Sequence, residues 1–211
     1  MITLDVYFDF ACPWCYVGFL RFLSALKTYE KEIHLRYHTY MIDTGTDMRG
    51  ELLEDYCDRR WGSSAWISEL KKSGEKDGAL FANWRYWPNT FNAHRLLLYA
   101  EQQQFPHMLQ LINALFLALY EKGENISAIP TLVRLAQDIG LSGCDEMLHS
   151  TAFTAEVVEE DDFAKHDLEI DGVPYFIVNN RFYLEGANPS SAFTSVFNVV
   201  ERLEEEEKKT A

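Results

Sequence analysis

Residues 8–18, FDFACPWCYVG, hold two of the four cysteines, Cys12 and Cys15, in Cys-x-x-Cys spacing. What flanks the pair decides how it reads. Ahead of it, Ile2, Leu4, Val6, Phe8 and Phe10 alternate with Thr3, Asp5, Tyr7 and Asp9, which predicts a strand over residues 2–10. Behind it, Phe19, Leu20, Leu23 and Leu26 recur at helical spacing, which predicts a helix over 16–30. The pair therefore falls at a strand-to-helix junction. Pro13 suits a first helical turn, where its missing N–H has no acceptor to lose. Cys15 lies about one turn further in and on the same face, so Cys12 is the outer sulfur and Cys15 the inner one.

Residues 33–40 alternate again through Ile33, Leu35, Tyr37 and Thr39, which completes a β-α-β unit with a parallel pair. From residue 48 the texture turns helical, with helices expected over 49–61, 64–72, 89–104, 106–121, 130–140 and 154–166. No strand pattern of comparable strength occurs between Asp43 and Ile170. After this, VPYFIV and RFYLEG flank Asn179 and Asn180, a hairpin turn because asparagine tolerates positive φ. Asn188 is the expected N-cap of a last helix and Pro189 its first residue. Its apolar stripe runs through Phe193, Val196, Phe197, Val200 and Leu203. The order β-α-β, helical stretch, β-β-α is that of an α/β, thioredoxin-like fold with an inserted all-helical domain. Residues 1–45 and 169–211 form the thioredoxin-like part, and 46–168 the insertion.

A thiolate at a helix N-terminus is stabilised by unpaired N–H groups and the helix dipole. Cys12 is then the attacking sulfur, and Cys15 resolves the mixed disulfide. A structural zinc site needs four ligands. Cys57 and Cys144 are isolated and no second Cys-x-x-Cys exists, so no metal is expected. Two inert buried thiols, or a pair retained on a fold used for other chemistry, are the competing readings.

FDFACPWCYVG, NTFNAHRLLLYA and DGVPYFIVNNRFYLEGAN together resemble DsbA-like thioredoxin proteins of the FrnE type. These are related to 2-hydroxychromene-2-carboxylate isomerases and kappa-class glutathione transferases. The resemblance implies a dithiol active site built on Cys12, Pro13, Trp14 and Cys15. It also implies a cis peptide at Val173-Pro174 beside the cysteines, with the Val173 backbone docking an extended peptide or glutathione. Two departures touch the rim. The stretch YHTYMIDTGTDMRG lacks the proline of many relatives, and Asn188 stands where they often carry glutamine. In the isomerase and transferase branches the first cysteine position is typically serine, so Cys12 argues for the redox branch.

Asn89, His94 and Asn188 are candidate substrate-binding residues, with Asn89 or Thr90 also able simply to cap a helix. Asp9, three residues before Cys12, can serve proton transfer to the inner thiol or form a turn. Trp84, Tyr86 and Trp87 read as packing or as the wall of an apolar pocket.

The chain has 211 residues, 47% of them hydrophobic, and a net charge of −14, which removes the usual electrostatic footprint for nucleic acid or anionic lipid. The start, MITLDVYFDF, lacks a basic n-region, and no apolar run approaches the roughly 20 residues of a membrane span. The expectation is a cytoplasmic thiol-disulfide oxidoreductase acting on disulfide-containing proteins or small thiols, as monomer or homodimer. It would hold no bound cofactor, with glutathione a candidate substrate or co-substrate. A glutathione-dependent isomerase or transferase is the alternative, and a chaperone-like peptide-holding module a third.

Overall fold

The computed structural model of the protein describes residues 1–210. Four strands form the main sheet: β1 (Ile2–Phe8), β2 (Ile33–Thr39), β5 (Tyr175–Val178) and β6 (Phe182–Glu185), in the order β2-β1-β5-β6. β1 runs parallel to β2, with Leu4 opposite Leu35. It runs antiparallel to β5, with Val6 opposite Phe176, and β5 runs antiparallel to β6. The chain belongs to the α/β class, and its strand-helix order is that of the thioredoxin fold. Asn179 and Asn180 turn the β5–β6 hairpin with φ of 49° and 53°, the left-handed pair that a two-residue turn requires.

β1 is central and buried on both faces. Ile2, Leu4, Val6 and Phe8 enter the main core, beneath helix α1 (Pro13–Thr28). Tyr7 packs with Tyr40, Ala164, Ile170 and Ile177 in a smaller cluster on the other side. α1 and the last helix, α9 (Ser190–Thr210), cover the first face together. Phe22 meets Phe176 and Phe193 there, with ring centroids 6.1 and 5.5 Å apart.

Between β2 and β5 the chain is mostly helical: α2 (Leu53–Trp61), α3 (Ile67–Glu75), α4 (Phe91–Gln102), α5 (Met108–Phe116), α6 (Ile129–Asp138), α7 (Cys144–His149) and α8 (Thr154–Asp162). α5 runs on into a wide π-helical turn, Leu117–Glu121, and α8 into another, Phe163–Asp167. The stretch is not all-helical, however. β3 (Glu51–Leu52) pairs antiparallel with β4 (Tyr86–Trp87). Two-residue strands are too short to show a period in sequence.

Among the boundaries that differ from expectation, two bear on the site. β1 ends at Phe8 rather than residue 10, because Asp9 starts the turn, its carbonyl accepting from the Cys12 N–H at 3.2 Å. α9 begins at Ser190, and Asn188 does not cap it through its oxygen. Its amide nitrogen donates instead to the carbonyls of Glu185 and Gly186, closing the loop out of β6.

Candidate active site

Cys12 is the N-cap of α1, with extended backbone (φ −81°, ψ 109°), and Pro13 opens the helix. All four cysteines are free. The Cys12 sulfur accepts from the Cys15 backbone N–H at 3.2 Å, so the cap is made by sulfur in place of the usual oxygen. The thiol donates to the Val173 carbonyl at 3.4 Å. The Val173-Pro174 peptide is cis. Topology brings these groups together: β1 and β5 are neighbours, so the ends leading out of one and into the other share an edge of the sheet.

The two sulfurs are shielded unequally. Cys12 retains 6% of its surface and Cys15 1%. Burial pushes the Cys15 thiol well up, and the hydrogen bond and charge of Cys12 push it further. The Asp9 backbone N–H opposes this, and the Asp9 charge adds to it. Beneath Cys15 lies a small apolar void lined by Val6, Phe8, Phe19, Phe116, Pro174 and Phe176 among others. Trp14, on the outer side of the first turn, is 41% exposed.

α1 is held under the loop that carries Pro174. A Cβ at Gly18 would lie 2.8 Å from the Pro174 Cγ and 3.4 Å from the Ala187 backbone, so only glycine allows this approach. Arg21, one turn on, bonds Asp77 at 2.7 Å and the carbonyl of Ala187.

The helical stretch contributes residues as well. Tyr120, on the π turn after α5, donates to the Phe10 carbonyl at 2.8 Å and stacks on Tyr16 with centroids 5.2 Å apart. Burial pushes its phenol well up, and the charges of Cys12, Cys15 and Asp9 add to that. His94, on α4, sets its Nε2 3.3 Å from Asp9 Oδ1, and both residues are 1% exposed. Asp9 also accepts from the backbone N–H of Ala11 at 3.2 Å and of Ile42 at 2.8 Å. The aspartate is thus a turn former and a buried, hydrogen-bonded side chain at once.

Asn89 is buried. Its amide donates to the Thr46 carbonyl and its oxygen accepts from the Phe91 N–H, while it borders a cleft with Met41, Met48 and Val158. Asn188 sits in the loop between β6 and α9. Trp84 packs on both Trp87 and Tyr120, with Tyr56 stacked on Trp87 at 4.1 Å. Cys57 and Cys144 are fully buried, and burial pushes both thiols up. Among the described residues no group of three or more His, Cys, Asp or Glu side chains is placed to hold a metal ion. Sequence reasoning missed Tyr120, for which no local motif exists, and did not foresee the Asp9–His94 pair.

Comparison with known proteins agrees with this geometry. A probable DsbA oxidoreductase from Streptomyces coelicolor superposes with a TM-score of 0.78 at 24% identity, covering 93% of this chain and 88% of its own. The cytosolic disulfide reductase DsbM from Pseudomonas aeruginosa, solved with GSH, gives 0.66 at 19% identity, covering 95% and 99%. A 2-hydroxychromene-2-carboxylate isomerase gives 0.65 at 18% identity over 99% of both chains. At these identities the likeness shows the fold. The family pattern described as DSBA-like thioredoxin domain matches residues 3–198. With the dithiol at the first strand-to-helix junction and that match spanning nearly the whole sequence, the chain belongs to the DSBA-like thioredoxin family.

Proposed function

We propose that the protein is a thiol-disulfide oxidoreductase in which Cys12 attacks and Cys15 resolves. The observation that carries this is the asymmetric pair: a helix-capping sulfur at the edge of the site and a second one turn deeper. The Cys12 thiolate attacks a substrate disulfide, forming a mixed disulfide and releasing one substrate sulfur as thiolate. Cys15 then attacks Cys12, closing the Cys12–Cys15 disulfide and releasing the second substrate sulfur. Two electrons pass to the substrate, and the reverse sequence oxidises a dithiol.

Val173 contributes its backbone to an incoming extended chain, its carbonyl now held by the Cys12 thiol. Trp14 offers an exposed aromatic face beside the sulfur. Asn188, in the thioredoxin-like part (residues 1–45 and 169–211), and Asn89, in the insertion (46–168), are assigned to substrate binding in this reading.

Disulfide-containing proteins and small thiols are the substrates of this reading, in the cytoplasm. Among the described residues no helix is long and apolar enough to cross a membrane. DsbM, a structural neighbour, was solved with GSH, which supports glutathione as a co-substrate here. The likeness to the isomerase favours a second reading, glutathione-dependent isomerisation on the same fold. That chemistry would not need both sulfurs.

Turnover of a model disulfide substrate separates the readings. Cys12→Ser should abolish exchange, and Cys15→Ala should accumulate a mixed disulfide on Cys12. Parent-like exchange in Cys12→Ser would refute the assignment.

A further inference from the structure

The π turn that ends α5, Leu117–Glu121, holds the dithiol helix by two residues in succession. Tyr120 donates to the Phe10 carbonyl at 2.8 Å, and Phe10 stands two residues before Cys12. The Tyr120 ring stacks on Tyr16, the residue after Cys15, with centroids 5.2 Å apart and planes 9° from parallel. Glu121 accepts from the Tyr16 hydroxyl at 3.1 Å. The stretch from Phe10 to Tyr16 is thus gripped at both ends, with Cys12 and Cys15 between the grips.

The gripping residues are themselves fixed. Glu121 also accepts from three successive backbone N–H groups, of Leu80, Phe81 and Ala82, at 2.9–3.0 Å. Phe81 takes φ 50°, a left-handed conformation that is uncommon for an aromatic residue. Its ring packs edge-on against Tyr16 and Tyr120, with centroids 5.6 and 5.2 Å away. Tyr16 is 1% exposed, and Phe81 and Tyr120 are 0% exposed. A polar partner left unpaired at such depth costs more than one that water can reach, so these bonds are held.

We propose that Tyr120 and Tyr16 are positioning residues for the resolving step: the π turn clamps both ends of the dithiol turn, which keeps Cys15 within reach of Cys12. This inference rests on the exchange reading. In that step Cys15 gives its proton to water and its thiolate attacks the Cys12 sulfur. The Cys12–Cys15 bond forms and the Cys12–substrate bond breaks. The substrate sulfur leaves with the bonding electron pair as thiolate and takes a proton from water. Ring closure is favoured when the open form is already confined, because less freedom is lost on closing. Releasing either grip lets the open turn spread, and that freedom belongs to the reduced and mixed-disulfide forms alone. Disulfide formation becomes less favourable and resolution slower. The first attack, which needs only Cys12, is spared.

The test is the equilibrium constant for the Cys12–Cys15 disulfide in glutathione buffers, where the dithiol passes two electrons to glutathione disulfide and two glutathione thiols are released. Tyr120→Phe keeps the stacked ring and removes only the hydroxyl. It should lower the constant about threefold to tenfold, the scale of one hydrogen bond. Decay of the Cys12–glutathione mixed disulfide should slow by a like factor, with the iodoacetamide rate of Cys12 at its parent value. Tyr16→Phe, which leaves Glu121 its three backbone bonds, should shift the constant the same way. Tyr99→Phe removes a similar bond within the insertion, 2.9 Å to the Ser142 carbonyl, and should leave the constant unchanged. A merely structural role would lower the urea midpoints of oxidised and reduced protein equally and leave the constant where it was. That result, or an equal fall in Tyr99→Phe, overturns the proposal. Should Tyr120→Phe fail to fold, Tyr16→Phe decides alone. A parent that forms no Cys12–Cys15 disulfide refutes the exchange reading and the clamp with it. A parent that forms it, with the variants at the same constant, refutes the clamp alone.

Discussion

The Cys12 sulfur lies 3.4 Å from the carbonyl oxygen of Val173, 161 residues further along the chain. That contact orders the four cysteines. Cys12 is the edge sulfur, Cys15 is shielded beneath it, and Cys57 and Cys144 are sealed in the core. Iodoacetamide at neutral pH should therefore label Cys12 first and Cys15 far more slowly, with Cys57 and Cys144 reacting only on unfolding. Faster labelling of Cys15, followed by peptide mapping, would reverse the assigned roles.

Gly18 is the point where α1 passes beneath the site. With a Cβ there only 2.8 Å from Pro174 Cγ, Gly18→Ala must push either the helix or the loop. Overpacking of this kind costs about 1–3 kcal/mol. The expected outcome is a lowered urea midpoint together with slowed exchange, because the displaced loop carries Val173. Unchanged stability and rate would show that the approach is looser than described.

His38 joins the sheet to α8. Its ring bonds Asp5 at 2.8 Å and approaches Glu160 at 3.9 Å. Burial works against its charge, but these carboxylates outweigh that and raise the imidazole above its usual range. Burial likewise pushes Asp5 and Glu160 up, yet their bonds hold both below the usual carboxylate range. The signs then follow from linkage. The His38 contribution is complete below about pH 6.5 and fades as pH rises through the raised value. The Asp5 and Glu160 contributions are complete above about pH 4.5 and fade as pH falls through their lowered values. Chemical denaturation at pH 5.5 and pH 8.5 should show His38→Gln losing about 1 kcal/mol more at the lower pH. An equal loss at both would contradict this.

Charge at the site predicts substrate preference. Burial raises the Tyr40 phenol, and Asp161, Asp171, Asp9 and Cys12 add to that, in a chain whose net charge is −14. The cation over the Tyr40 ring, Lys165, is already bonded to Asp161 and to the Met41 carbonyl. Cystamine, a cationic disulfide, should therefore react faster than oxidised glutathione relative to their rates with a free thiol. Raising salt should narrow the gap, since the Debye length falls from about 10 Å at 0.1 M to about 3 Å at 1 M. A ratio indifferent to salt, or one favouring glutathione disulfide at low salt, would contradict the assignment.

How much of this was legible in the sequence depended on periodicity. β1, α1 and β2 are long and regular, and Cys12 and Pro13 mark the junction between the first two directly. The β5–β6 hairpin showed itself through its two asparagines. The β3–β4 ladder and the six-residue α7 did not show, because neither spans enough residues to repeat a pattern. Asn188 read as a cap from residue type alone, and its amide turned to the preceding loop. Contacts made across the insertion were out of reach for another reason. Tyr120 on Phe10 and His94 on Asp9 join residues 110 and 85 positions apart. No local pattern encodes such pairings; packing creates them.

The most direct test of the dithiol assignment is a redox titration of the protein in glutathione buffers, with Cys12 and Cys15 quantified by alkylation and mass spectrometry. The account predicts one reversible two-electron transition in which both cysteines convert together to a single intramolecular disulfide, with Cys57 and Cys144 unchanged. Cys12 and Cys15 remaining reduced across the whole range, or Cys12 ending only as a stable glutathione adduct with Cys15 still free, would contradict it.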